Sequence, residues 1–134
     1  MHFNKTIPEL SVFDIKKSKK FYIDRLGAKI EYERPEDKFV FLSLEGNQLM
    51  LEEIHADGWN IGNLTYPLGQ GINISLEVTD VDSIYQRIKE HSISLYRDMT
   101  VSHYAGANEM IEQKEFLLQD PNGYLLRFTK SGRR

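Results

Sequence analysis

The chain has 134 residues, 40% of them hydrophobic, which is enough for one ordinary domain with a sizeable core. Its formal net charge of −3 argues against a nucleic-acid groove or an anionic membrane surface as partner. The absence of cysteine excludes disulfides, thiolate nucleophiles and cysteine-based zinc sites. No signal core or membrane-length apolar run is evident, so we expect a cytoplasmic protein.

The first half of the chain is predicted as β-α-β-β-β. Residues 7–13 alternate between apolar and polar side chains, which is typical of a half-buried strand. Asp14 is suited to cap a helix that runs to about Leu26, and Gly27 supplies its left-handed stop. Three strands are then predicted, at 28–34, 39–44 and 48–54, the last two joined by a turn at 45–47.

The second half repeats this order. Residues 72–78 alternate, and Asp80 is suited to cap a helix that runs to about His91. Short strands are predicted at 94–96, 114–119 and 124–129. The polar stretch 100–113 is expected to form a loop with nine extra residues, of which 101–110 is a candidate lid.

A repeated motif relates the two halves. Leu10-Ser11-Val12-Phe13-Asp14-Ile15 returns 66 residues later as Leu76-Glu77-Val78-Thr79-Asp80-Val81. Such self-similarity indicates two copies of one supersecondary unit, related by a pseudo-two-fold, with a ligand site between them. We therefore expect an α+β fold of one domain over 1–134, with a module at about 5–55, a crossover at about 56–70 and a second module at about 71–130.

The residues that carry this pattern resemble a known superfamily. Leu-x-Val-x-Asp-Ile-x-x-Ser-x-x-Phe-Tyr at 10–22 is similar to the opening signature of the vicinal oxygen chelate superfamily, which includes glyoxalases, dioxygenases and bleomycin-resistance proteins. The runs 115–128 and 49–52 look closest to the bleomycin-resistance-like branch. The resemblance implies paired modules whose curved sheets surround a cleft, often completed by a dimer. It is weak for activity, because this fold hosts several chemistries.

The resemblance also implies four metal-ligand positions, which here hold Ile7, Glu52, Asn73 and Arg127. Isoleucine has no lone pair, arginine stays cationic and asparagine is a moderate oxygen donor. A slip of one residue offers only Thr6 or Pro8 in place of Ile7, and a slip of two offers Glu9. Since a catalytic metal needs about three protein ligands, we expect no metal, no cofactor and no catalytic residue. Among the histidines, only His103 in the predicted loop is a candidate near a ligand.

Candidate ligand-binding residues follow from the two-residue period of strands. They are Phe39, Phe41, Met50, Glu52, Asn73, Ser75 and Arg127 on predicted strands, Trp59 in the crossover and Tyr104 in the second-half loop. A sheet with one solvated face shows the same pattern. A core role explains the two phenylalanines equally well, and Trp59 is suited either to a ligand or to a dimer contact.

The charge on the same face indicates the kind of ligand. Glu9, Glu52 and Glu77 outnumber Arg127, which favours a cationic or hydrogen-bond-donating small molecule with aromatic groups. The leading hypothesis is a bleomycin-resistance-type protein that sequesters its ligand in the clefts of a homodimer, with a role in antibiotic resistance. The alternatives are a metal-dependent lyase, isomerase, dioxygenase or thiol transferase, and a structural or regulatory dimer without a specific ligand. Whether the modules pair within one chain or swap between two stays open.

Overall fold

The computed structural model describes residues 2–133 as two compact units, Met1–Leu68 and Gly69–Arg134. The first unit contains β1 (Glu9–Val12), α1 (Ile15–Lys19), β2 (Lys29–Arg34), β3 (Phe39–Leu44) and β4 (Asn47–Glu53). Its sheet has the order β1-β4-β3-β2, with β1 parallel to β4 and the other pairs antiparallel.

The second unit has the same order of elements. It contains β5 (Asn73–Glu77), α2 (Val81–Glu90), β6 (Arg97–Ala105), β7 (Met110–Gln119) and β8 (Leu125–Arg133). Its sheet has the order β5-β8-β7-β6, again with a parallel first pair. The predicted α+β fold of two tandem β-α-β-β-β modules is confirmed.

Both helices begin at the predicted aspartates. The carboxylate of Asp14 accepts hydrogen bonds from the backbone amides of Lys16 and Lys17, at 3.0 and 3.2 Å. Asp80 accepts from the backbone amide of Ser83 at 3.1 Å. The first helix widens after α1 into a π-helical segment, Lys20–Arg25, and Gly27 follows it with a φ of 88°.

The core lies mainly on one face of each sheet. The apolar side chains that the alternation assigns to that face are buried, among them Leu10, Val12, Leu49, Leu51, Leu76, Val78, Leu126 and Phe128. Residues Val81, Ile84 and Ile88 are the buried side of α2. The helices therefore cover these faces, and the buried core of the first unit extends to the opposite face of its sheet at Phe39 and Phe41, which are 5% and 1% exposed.

The predicted loop over 100–113 is wrong. Strands β6 and β7 pair from Thr100 opposite Glu115 to Ala105 opposite Met110, and the tight turn between them is closed by a 2.6 Å bond from the amide of Gly106 to the carbonyl of Glu109. The strand predicted at 94–96 lies instead at Arg97–Ala105, and residues 101–110 form a hairpin instead of a lid. The alternation failed to reveal β6 because nearly all of its residues are exposed, so neither face is marked by apolar side chains.

Candidate functional site

The face of the first sheet opposite the core brings four predicted site residues together. Strand pairing sets Glu9, Met50, Phe41 and Tyr32 side by side in one row across the sheet, and Ser11, Glu52, Phe39 and Arg34 in the next row. Residues that oppose one another in neighbouring strands point to the same face. Phe39, Phe41, Met50 and Glu52 therefore share one surface, as the two-residue period predicted.

An aromatic cavity of about 240 Å³ lies over these rows, lined by Phe3, Tyr32, Arg34, Phe39, Phe41 and Met50. Phe3 stacks on Phe41, with ring centroids 5.3 Å apart and planes 6° apart. Tyr32 meets Phe39 edge-on at 6.3 Å. The guanidinium of Arg34 lies 4.1 Å from the centre of the Phe39 ring, a cation–π distance. The cavity thus offers flat, electron-rich surfaces.

An acidic cavity of about 580 Å³ lies on the same unit, and Arg34 lines both cavities. Its carboxylates are Glu9, Glu36, Asp37, Glu52, Glu53 and Asp57, and its permanent cations are Arg34 and Lys38. Both cations are engaged by carboxylates, Arg34 by Asp37 at 3.1 Å and Lys38 by Glu53 at 2.9 Å. The excess of carboxylates makes this cavity attractive to a cation.

The carboxyl groups of Glu9 and Glu52 are electrostatically coupled. Partial burial is the largest cause that raises the pKa of Glu9 above its ordinary value, and the like charge of Glu52 is the second. The positive charge of Arg34 acts in the opposite direction and lowers this pKa. His55 contacts the Glu52 carboxylate at 3.0 Å through Nε2, while its Nδ1 accepts the backbone amide of Asp57 at 3.2 Å. Because Nδ1 accepts from an amide, the tautomer that fits this arrangement donates from Nε2 to Glu52 and orients that carboxylate.

Trp59 lies in the connection between the modules and is 93% exposed, although it also lines the acidic cavity. Ile61 and Tyr66 on the same connection are 99% and 60% exposed. Large apolar side chains this accessible are available for contact with a ligand or another protein.

The predicted site residues of the second unit form a looser set. Ser75 pairs with Arg127 across β5 and β8, and Asn73 lies two residues further along the same strand, opposite Leu125. The guanidinium of Arg127 lies 3.8 Å from the carboxylate of Glu115. These three residues are brought to one end of the sheet.

Tyr104 is not in a loop, as predicted, but on β6. It pairs with Ile111, six residues along β7 from the partner of Arg127, which is roughly 20 Å at the rise of a strand. Its hydroxyl donates to Gln113 at 2.9 Å. His103 also lies on β6 and contacts Glu112 at 3.1 Å. The second unit therefore separates Tyr104 from Arg127.

The residues at the four family ligand positions do not fit a divalent metal. Ile7 has no donor atom, Arg127 is cationic and engaged with Glu115, and only Glu52 is an anionic ligand. Within residues 2–133 no cluster of three histidine or carboxylate side chains has metal-binding geometry. We derive no metal-dependent step for this chain.

Sequence reasoning missed Phe3, Tyr32 and Arg34 as lining residues. The two-residue period places Tyr32 and Arg34 on one face of β2. It does not show that this face is the one shared with Phe39 and Phe41, because a register shift between Ile30 and Tyr32 changes which residues oppose β3. Phe3 precedes the first strand and belongs to no periodic pattern.

No helix among the described residues is both long and apolar enough to span a membrane. This finding concerns helices 15–25 and 81–90, which are short and carry several charges.

Comparison with known proteins assigns the family. A bleomycin resistance protein of Geobacillus stearothermophilus is 29% identical over 131 residues, which cover 92% of this chain and 93% of that protein. The crystal structure of a glyoxalase/bleomycin resistance protein/dioxygenase from Alicyclobacillus acidocaldarius is 25% identical, covers 95% of this chain and 90% of its own, and has a TM-score of 0.65. TioX from Micromonospora sp. ML1 is similar in fold, with 15% identity, 96% and 98% coverage and a TM-score of 0.73. The family model matches residues 2–128, and the chain belongs to the Glyoxalase/Bleomycin resistance protein/Dioxygenase superfamily.

Proposed function

We propose that this protein binds a small molecule and holds it without chemical change, in the manner expected of a bleomycin-resistance protein. The observation that carries the proposal is the pair of cavities on the first unit, one aromatic and one acidic, which share Arg34. A ligand with a planar ring and a separate cationic group would match both. Relatives that carry the name bleomycin resistance protein support the same choice of ligand class.

Both the aromatic and the acidic cavity offer favourable interactions to such a ligand. The rings of Phe3 and Tyr32 are 53% and 41% exposed, so a ligand ring placed against them removes apolar surface from water. Aromatic pairs contribute about 0.5–1.5 kcal/mol beyond the area that they bury. On the acidic side, a cation would relieve the repulsion between Glu9 and Glu52 that raises the pKa of Glu9.

The remaining elements of the proposal come from the family resemblance. We propose a cytoplasmic homodimer of single-domain chains, with modules at about 5–55 and 71–130, and we keep Asn73, Ser75 and Arg127 as further candidate ligand residues, while the distance of Tyr104 from Arg127 removes it from that set. The exposed Trp59, Ile61 and Tyr66 provide apolar surface for a ligand or a second copy. Sequestration breaks no bond, so it requires neither a nucleophile nor a base.

Equilibrium titration with metal-free bleomycin tests this function. Trp59 is the single tryptophan of the chain, so its fluorescence reports binding at the acidic cavity. We expect a saturable change in wild type, and calorimetry should show affinity reduced about fivefold or more by Glu52→Gln, since one close charge contributes roughly 1 kcal/mol or more at a partly buried site.

Matched controls separate the site from general effects. Glu90→Gln removes the same charge from an exposed position of α2, and Tyr96→Ala removes an exposed aromatic side chain from the second unit, outside the connection that carries Trp59. Both should bind as wild type does, whereas Trp59→Ala should bind more weakly. Absence of saturable binding, or an equal loss in Glu90→Gln, would contradict the proposal.

A further inference from the structure

The segment before β1 is held across the candidate site by two side chains, those of Gln48 and Asn4, and the amide of Asn4 donates to the backbone carbonyl of Gly46 at 2.9 Å. Gln48 is 8% exposed, and its amide makes hydrogen bonds on both sides of Phe3. Its Oε1 accepts from the backbone amide of Asn4 at 2.7 Å, and its Nε2 donates to the backbone carbonyl of His2 at 2.8 Å. A buried amide is costly unless its donor and acceptor are both paired, so this two-point contact fixes the backbone that carries Phe3.

The position of Phe3 is set by that contact. Its ring covers Phe41 at 5.3 Å with nearly parallel planes, and its own outer side stays 53% exposed. Phe41 is only 1% exposed beneath it. Phe3 is thus a wall of the aromatic cavity and, at the same time, a cover over an aromatic face that a larger ligand would use.

The size of the aromatic cavity determines which ring systems fit beside Phe3. The aromatic cavity measures about 240 Å³. An engineered cavity of about 150 Å³ accommodates benzene in another protein. The space therefore suits one ring with its substituents, and a system of three fused rings would need the face of Phe41 that Phe3 covers.

We propose that Phe3 is a specificity-determining residue that excludes fused multi-ring systems from the aromatic cavity, and that Gln48 is the positioning residue that holds it. This inference rests on the proposed ligand-binding function. It adds a chemical class, cations whose flat group is not a fused ring system, and assigns two residues that lie outside the predicted set.

Two cations of equal charge and different ring size test the proposal. Benzamidine carries one ring and proflavine carries three fused rings, and both are singly positive at neutral pH. Calorimetric titration gives the ratio of their dissociation constants, in which the common attraction to the acidic cavity largely cancels. We expect Phe3→Ala to shift this ratio by about tenfold towards proflavine, because one ring contact is lost to benzamidine while Phe41 becomes available to proflavine.

Three further variants define the roles. Gln48→Met has a similar volume and removes both hydrogen bonds, so its ratio should shift in the same direction by a smaller factor. Thr6→Ala, at an exposed position of the same segment, should keep the wild-type ratio. Phe3→Tyr retains the flat ring and should also keep it. Thermal denaturation of each variant confirms that it is folded.

The possible outcomes distinguish this inference from the function on which it rests. A ratio within twofold of wild type in Phe3→Ala, with binding retained, overturns the role of Phe3 and leaves the binding function intact. A shift in Phe3→Ala without one in Gln48→Met overturns the role of Gln48. If wild type binds neither cation nor bleomycin, both the function and the inference are overturned.

Discussion

At the scale of single residues, Glu9 links the charge of the site to its pH dependence. Its pKa is raised from 4.5 by partial burial and by Glu52, so the folded chain holds this proton more tightly than the unfolded chain does. The corresponding stability is present below 4.5 and is lost as pH rises through the raised pKa. A bound cation reverses this preference, because it stabilises the ionised carboxylate.

Substitution of Glu9 tests this linkage. We expect the affinity of wild type for a cationic ligand to increase as pH rises from 4.5 towards neutrality, and Glu9→Gln to lose part of that increase. Without ligand, the free energy of unfolding of wild type should fall relative to that of Glu9→Gln as pH rises from 4.5 to neutrality. Urea denaturation and calorimetry at both ends measure the two effects. A pH dependence identical in Glu9→Gln and wild type would contradict the role of Glu9.

At the scale of elements, the connection that enters the second module is fixed by close contact with the turn between β7 and β8. Gly69 has a φ of 73°, and a Cβ placed on it would lie 2.5 Å from the ring of Tyr124. The backbone amide of Tyr124 donates to Asp120 at 3.0 Å, and the same carboxylate oxygen accepts from the amide of Asn122 at 2.8 Å. The turn is therefore rigid beneath Gly69 and leaves no room for a side chain.

A pair of glycine variants separates backbone strain from crowding. Gly71 has a φ of 84° and open space around its missing Cβ, so Gly71→Ala should cost only the penalty of the left-handed backbone, about 1–2 kcal/mol. Gly69→Ala adds crowding against Tyr124 and should lower the free energy of unfolding by about 1–3 kcal/mol more. Chemical denaturation measures both. Equal losses would show that Tyr124 moves aside freely.

The strands and turns differ in how well the sequence predicts them. Strands with one buried face, such as β1 and β5, were predicted within about two residues because alternation records burial directly. The 45–47 turn was predicted from its residue types, and Glu45 and Gly46 have φ of 49° and 82° there. The hairpin of β6 and β7 was missed because both of its faces meet solvent along much of its length.

The candidate site was predictable to a similar degree. The period of two placed Met50 and Glu52 on one face, since each lies within a single uninterrupted strand. Arg34 and Tyr32 depend on a register shift in β2, which no local pattern encodes. Phe3 depends on a contact between residues more than forty positions apart, through the amide of Gln48.

At the scale of the whole molecule, the fold explains how one architecture holds a ligand surface. Each module buries one face of its sheet beneath a helix, so the opposite face carries polar and aromatic side chains without loss of core. In the first module that face holds both cavities, and the residues at the family metal positions offer only Glu52 as an anionic ligand. Recognition by rings and carboxylates is therefore the chemistry that this chain supports best.

Equilibrium dialysis against metal-free bleomycin, followed by mass spectrometry of the recovered ligand, is the most direct test of binding without catalysis. We predict that wild-type protein depletes free ligand in a fixed proportion to its own concentration and that the ligand returns with its mass unchanged after denaturation of the protein. Glu52→Gln should deplete less ligand at the same concentration. Recovery of a modified ligand, or depletion that continues beyond a fixed proportion, would contradict sequestration and indicate an enzyme.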